Sequence, residues 1–297
     1  FYASKLFWPG ELIFIYPHWS IDSDLFVQWL YPLAAVVVIA GLWWQRARIG
    51  RGPLAAVLLF SGTLSPALGF IDVYPMQFSF VADHFQYLAS IPLLACAAWL
   101  IVTRWYANQG GLLVLVLAVM TFFRCGVFLD TATLWSDTVK KNPRSPLALT
   151  SLGNELGGKG LHKLAERRHR QAIDVDPRFP DAWVNLAVEL HGQERKDEAF
   201  EVAAWAVKLA PWLPRARVNL AMGLAERGRY DEAVEHLAAA VAADKRFVMA
   251  WAHLARIELI RKNETGFRRA VEHLRRLDPR LADEFQPGPR PNDSPSP

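Results

Sequence analysis

The chain has 297 residues, 33 basic against 29 acidic side chains and a formal charge of +4, so its length allows two domains while its charge is too small and dispersed to form a nucleic-acid stripe. Its two cysteines, Cys96 and Cys125, lie in apolar runs without Cys-x-x-Cys spacing, so no metal or redox motif is visible and they read as small core residues. Residues 1–129 hold only 6 of the Lys and Arg and 5 of the Asp and Glu, which divides the chain into an apolar, aromatic part and a charged part.

The first residue is Phe1, and no signal peptide opens the chain; the simplest expectation is a fragment whose beginning lies upstream. Segment 1–24 carries Phe7, Trp8, Phe14, Tyr16 and Trp19, with Pro9 and Pro17 interrupting any long helix. Aromatic rings with polar edges favour the headgroup zone, so this reads as an interfacial segment. A membrane bundle is expected over 25–129, with spans at about 25–44, 53–71, 85–103 and 112–129. The first, second and fourth runs reach the ~20 apolar residues that a bilayer requires, and the third does so only if FQY (85–87) joins it. Arg46, Arg48 and Arg51 between the first two runs, and Arg104 between the last two, place those connections on the cytoplasmic side. Segment 1–24, the loop around 72–87 and everything after Leu129 then face the periplasm or lumen, as in a multi-pass protein of a bacterial inner membrane.

Beyond Leu129 the sequence repeats. Pro143, Pro177, Pro211 and Pro279 fall on a 34-residue grid, with Lys245 at the remaining point. The grid aligns LALTSLGNEL (147–156), DAWVNLAVEL (181–190), RARVNLAMGL (215–224) and MAWAHLARIE (249–258). It also aligns Gly153, Ala187, Ala221 and Ala255, small residues that let two helices approach. This resembles the tetratricopeptide (TPR) pattern and implies four repeats over 146–281 in an α-solenoid. His169 and Phe267 depart from that pattern. DTATLWSDTVKKNP (130–143) matches the second half of a repeat, so 130–145 is expected to be a helix that continues from the last span through a stiff joint. The Pro- and Ser-rich stretch 282–297 is expected to be disordered. The fold class is therefore all-α, a transmembrane helix bundle followed by a TPR solenoid.

Stacked repeats form a groove lined by the first helix of each pair, and one column of that helix holds Ser151, Asn185, Asn219 and His253. An amide both donates and accepts, so this column suits a protein or peptide main chain. His162, His169 and His191 read as solvent-facing or packing residues. No catalytic triad, phosphate loop or zinc motif is visible, and neither a cofactor nor a metal is expected.

FSFVADHFQYLAS (78–90) sets Asp83 and His84 at the mouth of the third apolar run. Asp72, Arg124 and Asp130 emerge at the same level. An arginine inside an apolar helix requires a partner. Asp72, Asp83 or a phosphate would serve, giving either an ion pair that closes the bundle or a site for an anionic lipid headgroup.

KLFWPGELIFIYPHW (5–19), FSFVADHFQYLAS and LWSDTVKKNP (134–143), followed by TPRs, resemble a group of bacterial membrane TPR proteins. These in turn are similar to the animal transmembrane TPR-containing O-mannosyltransferases of the type-C glycosyltransferase superfamily. The resemblance implies a polyprenyl-phosphate sugar as donor, a protein acceptor and an outer-face site. By it, His84, Gln86, Tyr87 and Arg124 would hold the donor phosphate beside Asp83. The catalytic acid has no counterpart here and is expected upstream of Phe1. The alternative is a non-catalytic, membrane-anchored TPR scaffold for envelope assembly.

Overall fold

A computed structural model describes residues 2–7, 12–17, 22, 24–65, 87–104 and 107–285, and no strand occurs among them. The chain divides into two compact units, Phe1–Leu152 and Gly153–Pro297. The first holds α1 (Tyr2–Phe7), α2 (Phe26–Ile49), α3 (Gly52–Leu64), α4 (Tyr87–Arg104), α5 (Ala107–Cys125) and α6 (Thr131–Lys141). The boundary falls within α7 (Pro146–Gly158). The second continues with α8 (His162–Val175), α9 (Pro180–Gly192), α10 (Lys196–Leu209), α11 (Pro214–Glu226), α12 (Tyr230–Ala243), α13 (Val248–Ile260), α14 (Glu264–Leu277) and α15 (Pro279–Asp283).

In the first unit, α2 is the one described helix long and apolar enough to cross a membrane; counting the bent pair Leu115–Phe128 and Thr131–Lys141 as one span gives a second. Its 24 residues reach about 36 Å at ~1.5 Å per residue, more than a hydrocarbon core, and none of them is buried. The expected bundle of four spans is thus not what the described residues show. The first helix runs past Trp44 to Ile49, because nothing stops it before Gly50, whose φ is +85°. Arg46 therefore sits on the helix, stacked 4.2 Å from the Trp43 ring, and the connecting loop shrinks to Gly50 and Arg51. Where 53–71 was expected to span, α3 has 13 residues, and 66–86 lie outside the described residues. In α4 the apolar helical part is Leu88–Trp99, with Pro92 inside it.

The stiff joint is also replaced. After a 3₁₀ turn at Gly126–Phe128 the helix stops at Asp130, and the chain bends by 110° into α6. The cause is local: Asp130 takes an extended conformation, and its carboxylate accepts from the Thr133 N–H at 2.8 Å and from the Thr133 hydroxyl at 2.7 Å. An aspartate N-cap of this kind starts a new helix more readily than it continues an old one. Residues 12–17 then lie along α6. Lys141 Nζ donates to the Leu12 carbonyl at 2.9 Å, and Asn142 Nδ2 to that of Ile15 at 3.1 Å. Phe14 meets Trp135 edge-on at 5.4 Å. Ile13 and Tyr16 are buried with Tyr2, Leu64 and Ala89. The described part of the N-terminal segment is thus packed on helices of its own unit.

In the second unit each repeat is a helix pair, and the starts Pro180, Pro214 and Val248 keep the 34-residue spacing. Proline opens α9 and α11 at a position whose N–H would be unpaired in any case. Within each pair the reversal is the same. Gly160, Glu194, Gly228 and Lys262, again 34 apart, all have φ between 59° and 75°. Beside them the N–H groups of Arg195, Arg229 and Asn263 reach back to the carbonyls of Leu190, Leu224 and Glu258 at 2.9–3.0 Å, closing the helix ends as Schellman motifs do.

Between pairs, Trp183 Nε1, Arg217 Nε and Trp251 Nε1 donate to the carbonyls of Pro177, Pro211 and Lys245 at 2.9, 2.6 and 3.0 Å. What the grid point supplies is a carbonyl, which explains why Lys245 serves there as well as proline. His169 is fully buried, and a Cβ added to Gly153 would lie 2.5 Å from its ring. The imidazole therefore fills the space that the missing side chain leaves. Phe267 stands where other repeats have alanine, and its ring meets Phe285 at 6.5 Å. The expected tail boundary moves accordingly: Ala282 is buried in α15, which Asp278 caps through the Leu281 N–H.

Two expectations for stability follow. Lys262→Gly relieves a left-handed lysine and raises stability by about 0.5–1 kcal/mol, while Gly228→Ala lowers it by about 1 kcal/mol; chemical denaturation of the full chain in detergent reads both. His169 has neither ring nitrogen hydrogen-bonded, and burial pushes its pKa from 6.5 down to about 4. The unfolded chain therefore binds the extra proton, and stability falls as pH drops from 6.5 towards 4, by about 3 kcal/mol from this group. His169→Leu flattens that limb of a melting temperature against pH curve.

Candidate peptide-binding groove

Of the residues proposed for a donor phosphate, Arg124 is the one whose side chain is described. Asp83, His84 and Gln86 lie outside the described residues, as does the side chain of Tyr87, which opens α4. Among the described residues, the partner of Arg124 is Asp137. Its Nη1 donates to Asp137 at 2.8 Å, and Lys141 donates to the same carboxylate oxygen at 3.0 Å. The bend at Asp130 makes this possible, because it returns α6 towards the end of α5. Burial alone would raise the Asp137 carboxyl, but hydrogen bonds from Arg124 and Lys141 outweigh it and hold the group below the usual range. The Arg124 Nε and Nη2 remain buried and unpaired.

The second unit does assemble a site. Its first helices α9, α11 and α13 carry Asn185, Asn219 and His253 at equivalent positions. Ser151 belongs to the first unit, on α7. Arg215 Nη2 donates to Asn185 Oδ1 at 2.6 Å, which fixes that amide with Nδ2 as its remaining donor, on a side chain that is only 5% exposed. Asn219 Nδ2 donates to the Val184 carbonyl at 3.0 Å, which leaves its Oδ1 available. Adjacent rungs thus present one donor and one acceptor. His253 is half-buried; burial and the neighbouring Arg256 charge both lower its pKa.

Beside this column a cavity of about 120 Å³ is lined by Val188, His191, Phe200, Asn219, Met222 and Glu226. An apolar void of ~150 Å³ holds a benzene ring, so this one suits a single aliphatic side chain. Gly223 keeps it open, since a Cβ there would meet Phe200 at 2.9 Å. His191 Nε2 donates to Glu226 at 2.8 Å, with Lys196 3.7 Å from the same oxygen. Burial would raise Glu226, but the hydrogen bond to His191 and the nearby Lys196 charge hold it low. Sequence alone placed the asparagines but not this cavity, whose lining comes from both helices of one pair, α9 and α10, and from α11 of the next. Val188 and Met222, a fixed 34 residues apart, were the available signal.

A tetratricopeptide-repeat family model matches residues 150–211 and 218–281, so the array of helix pairs is a TPR array. No curated protein matches the chain. Among solved structures, YrrB, described as a TPR protein with an unusual peptide-binding site, is 20% identical, with 57% of this chain and 86% of that chain covered and a TM-score of 0.41. TTC0263, a thermophilic TPR protein in Thermus thermophilus, is 20% identical over 55% and 90%, with a TM-score of 0.46. PilW, a type IV pilus biogenesis factor, is 19% identical over 57% and 76%, also at 0.46. At these values they add nothing to the fold already described.

Proposed function

We propose that this chain is a membrane-anchored TPR scaffold that binds an extended segment of another protein in the groove of α9, α11 and α13. The observation that carries the reading is the fixed pair of amides. Asn185 offers a donor and Asn219 an acceptor beside a side-chain-sized apolar cavity. A peptide main chain provides the complementary acceptor and donor at each residue. The anchor is α2, exposed and apolar on every side, and the arginines at its C-terminal end favour a cytoplasmic position for that end. If the bent pair Leu115–Phe128 and Thr131–Lys141 makes the second crossing, the chain returns to the other side and the TPR array faces the periplasm or lumen; with α2 as the one span it faces the cytoplasm.

Sugar transfer, the activity implied by the motif resemblance, has less support. Arg124, the expected ligand of a donor phosphate, is already held by Asp137.

A photo-crosslinking residue in place of Val188 should give discrete protein adducts in cells, and the same residue in place of Trp205 on α10 should not. Asn219→Ala should reduce the Val188 adducts about tenfold, the loss expected when a hydrogen bond of ~1.4 kcal/mol is removed. Equal adduct yield from both positions would remove the groove assignment. The topology is tested separately. With the second crossing, Asp197→Cys, at a fully exposed position, should react with a membrane-impermeant maleimide from the non-cytoplasmic side.

A further inference from the structure

On the groove side of the repeats, the charged groups are unequally paired. Two of the acidic groups are already engaged. Asp181 faces Arg215 at 3.5 Å, and Glu226 is held by His191 and Lys196. Arg256 on α13 is different. It is exposed and makes no hydrogen bond or ion pair among the described residues. Its position repeats that of Val188 and Met222, two residues that line the cavity.

The rest of that helix face is apolar. Met249, His253, Arg256 and Ile260 follow each other at helical spacing, with Leu259 beside them. Met249, Leu259 and Ile260 are 49%, 56% and 51% exposed, a high value for three large apolar side chains on one short helix. His253 is pushed towards its neutral form by burial and by the Arg256 charge, so it adds no second cation. The result is an unpaired guanidinium bordered by apolar surface, one repeat along from the Asn219 amide and two from that of Asn185.

We infer that the occupant is an extended segment carrying a glutamate or aspartate flanked by aliphatic residues, with Arg256 as the residue that selects it. This rests on the reading of the groove as a peptide site and adds the chemistry of the ligand. A carboxylate pairs with a guanidinium through two parallel N–H donors, and the surrounding apolar contacts exclude the water that would screen the pair. A basic segment is repelled at the same point. A purely aliphatic one leaves the charge solvated by water alone.

The test is to pan a random twelve-residue peptide library displayed on phage against the full chain in detergent micelles. Selected sequences should contain an acidic residue between aliphatic ones. The synthetic peptide of the best clone should bind at least tenfold more weakly to Arg256→Gln, and Arg256→Glu should shift selection to basic sequences. Arg256 is exposed, so both variants should retain the helical circular dichroism of the parent. If selected peptides lose binding with Asn219→Ala or Met222→Ser but not with Arg256→Gln, the peptide site stands and the acidic preference is wrong. If no sequence family is enriched, the peptide site itself is wrong. If the chain instead forms a dimer that Arg256→Glu dissociates, the occupant is a second copy and the inference is overturned.

Discussion

The close approach of paired helices is the constraint on which the second unit depends. Ala165, Ala221, Ala233, Ala255 and Ala270 have essentially no exposed surface, and Gly153 has no side chain at all. Each alanine buries little area by itself. Its value is that two backbones can come near enough for the larger residues beside them, such as Leu190, Leu224, Leu237 and Leu274, to interlock at the density of a protein interior. The left-handed reversal between partners and the Trp or Arg bond to the preceding carbonyl then fix the direction in which each pair is added to the next.

Much of this was legible because it repeats. A period of 34 residues makes Gly153, Ala187, Ala221 and Ala255 a pattern where one of them alone would be noise. The left-handed turn was harder to see, since two of its four positions carry Glu194 and Lys262 in place of glycine. The first unit had no such repetition. Its partners are far apart in the chain: Lys141 meets the Leu12 carbonyl and Asn142 that of Ile15, and main-chain acceptors leave no mark in a sequence. The Asp130 cap did leave one, in Asp130 and Thr133, but the apolar run before it pointed to a continuous helix. Missing the bend meant missing the partner of Arg124, which only becomes reachable once α6 turns back. In the groove, the sequence identified the asparagines. It could not show which end of each amide is occupied, because that depends on Arg215 and on the Val184 carbonyl.

The two units manage polar groups in contrasting ways. In the first, one carboxylate, Asp137, gathers two cations where α5 meets α6, and most large side chains of α2 remain uncovered. In the second, polar side chains form short ladders from one repeat to the next, as Arg227 does with Asp197 and Arg261 with Asp231. Such exposed pairs contribute little each. They leave the shape of the groove to the packing beneath it.

The bonds from α6 to residues 12–17 have a mechanical consequence. Traction on the N-terminal end would enter α6 directly through the carbonyls of Leu12 and Ile15, without first passing along α2 to α5. Because those acceptors belong to the main chain, this shortcut for force asks for no polar side chain at Leu12 or at the buried Ile15, provided that Lys141 and Asn142 keep their grip.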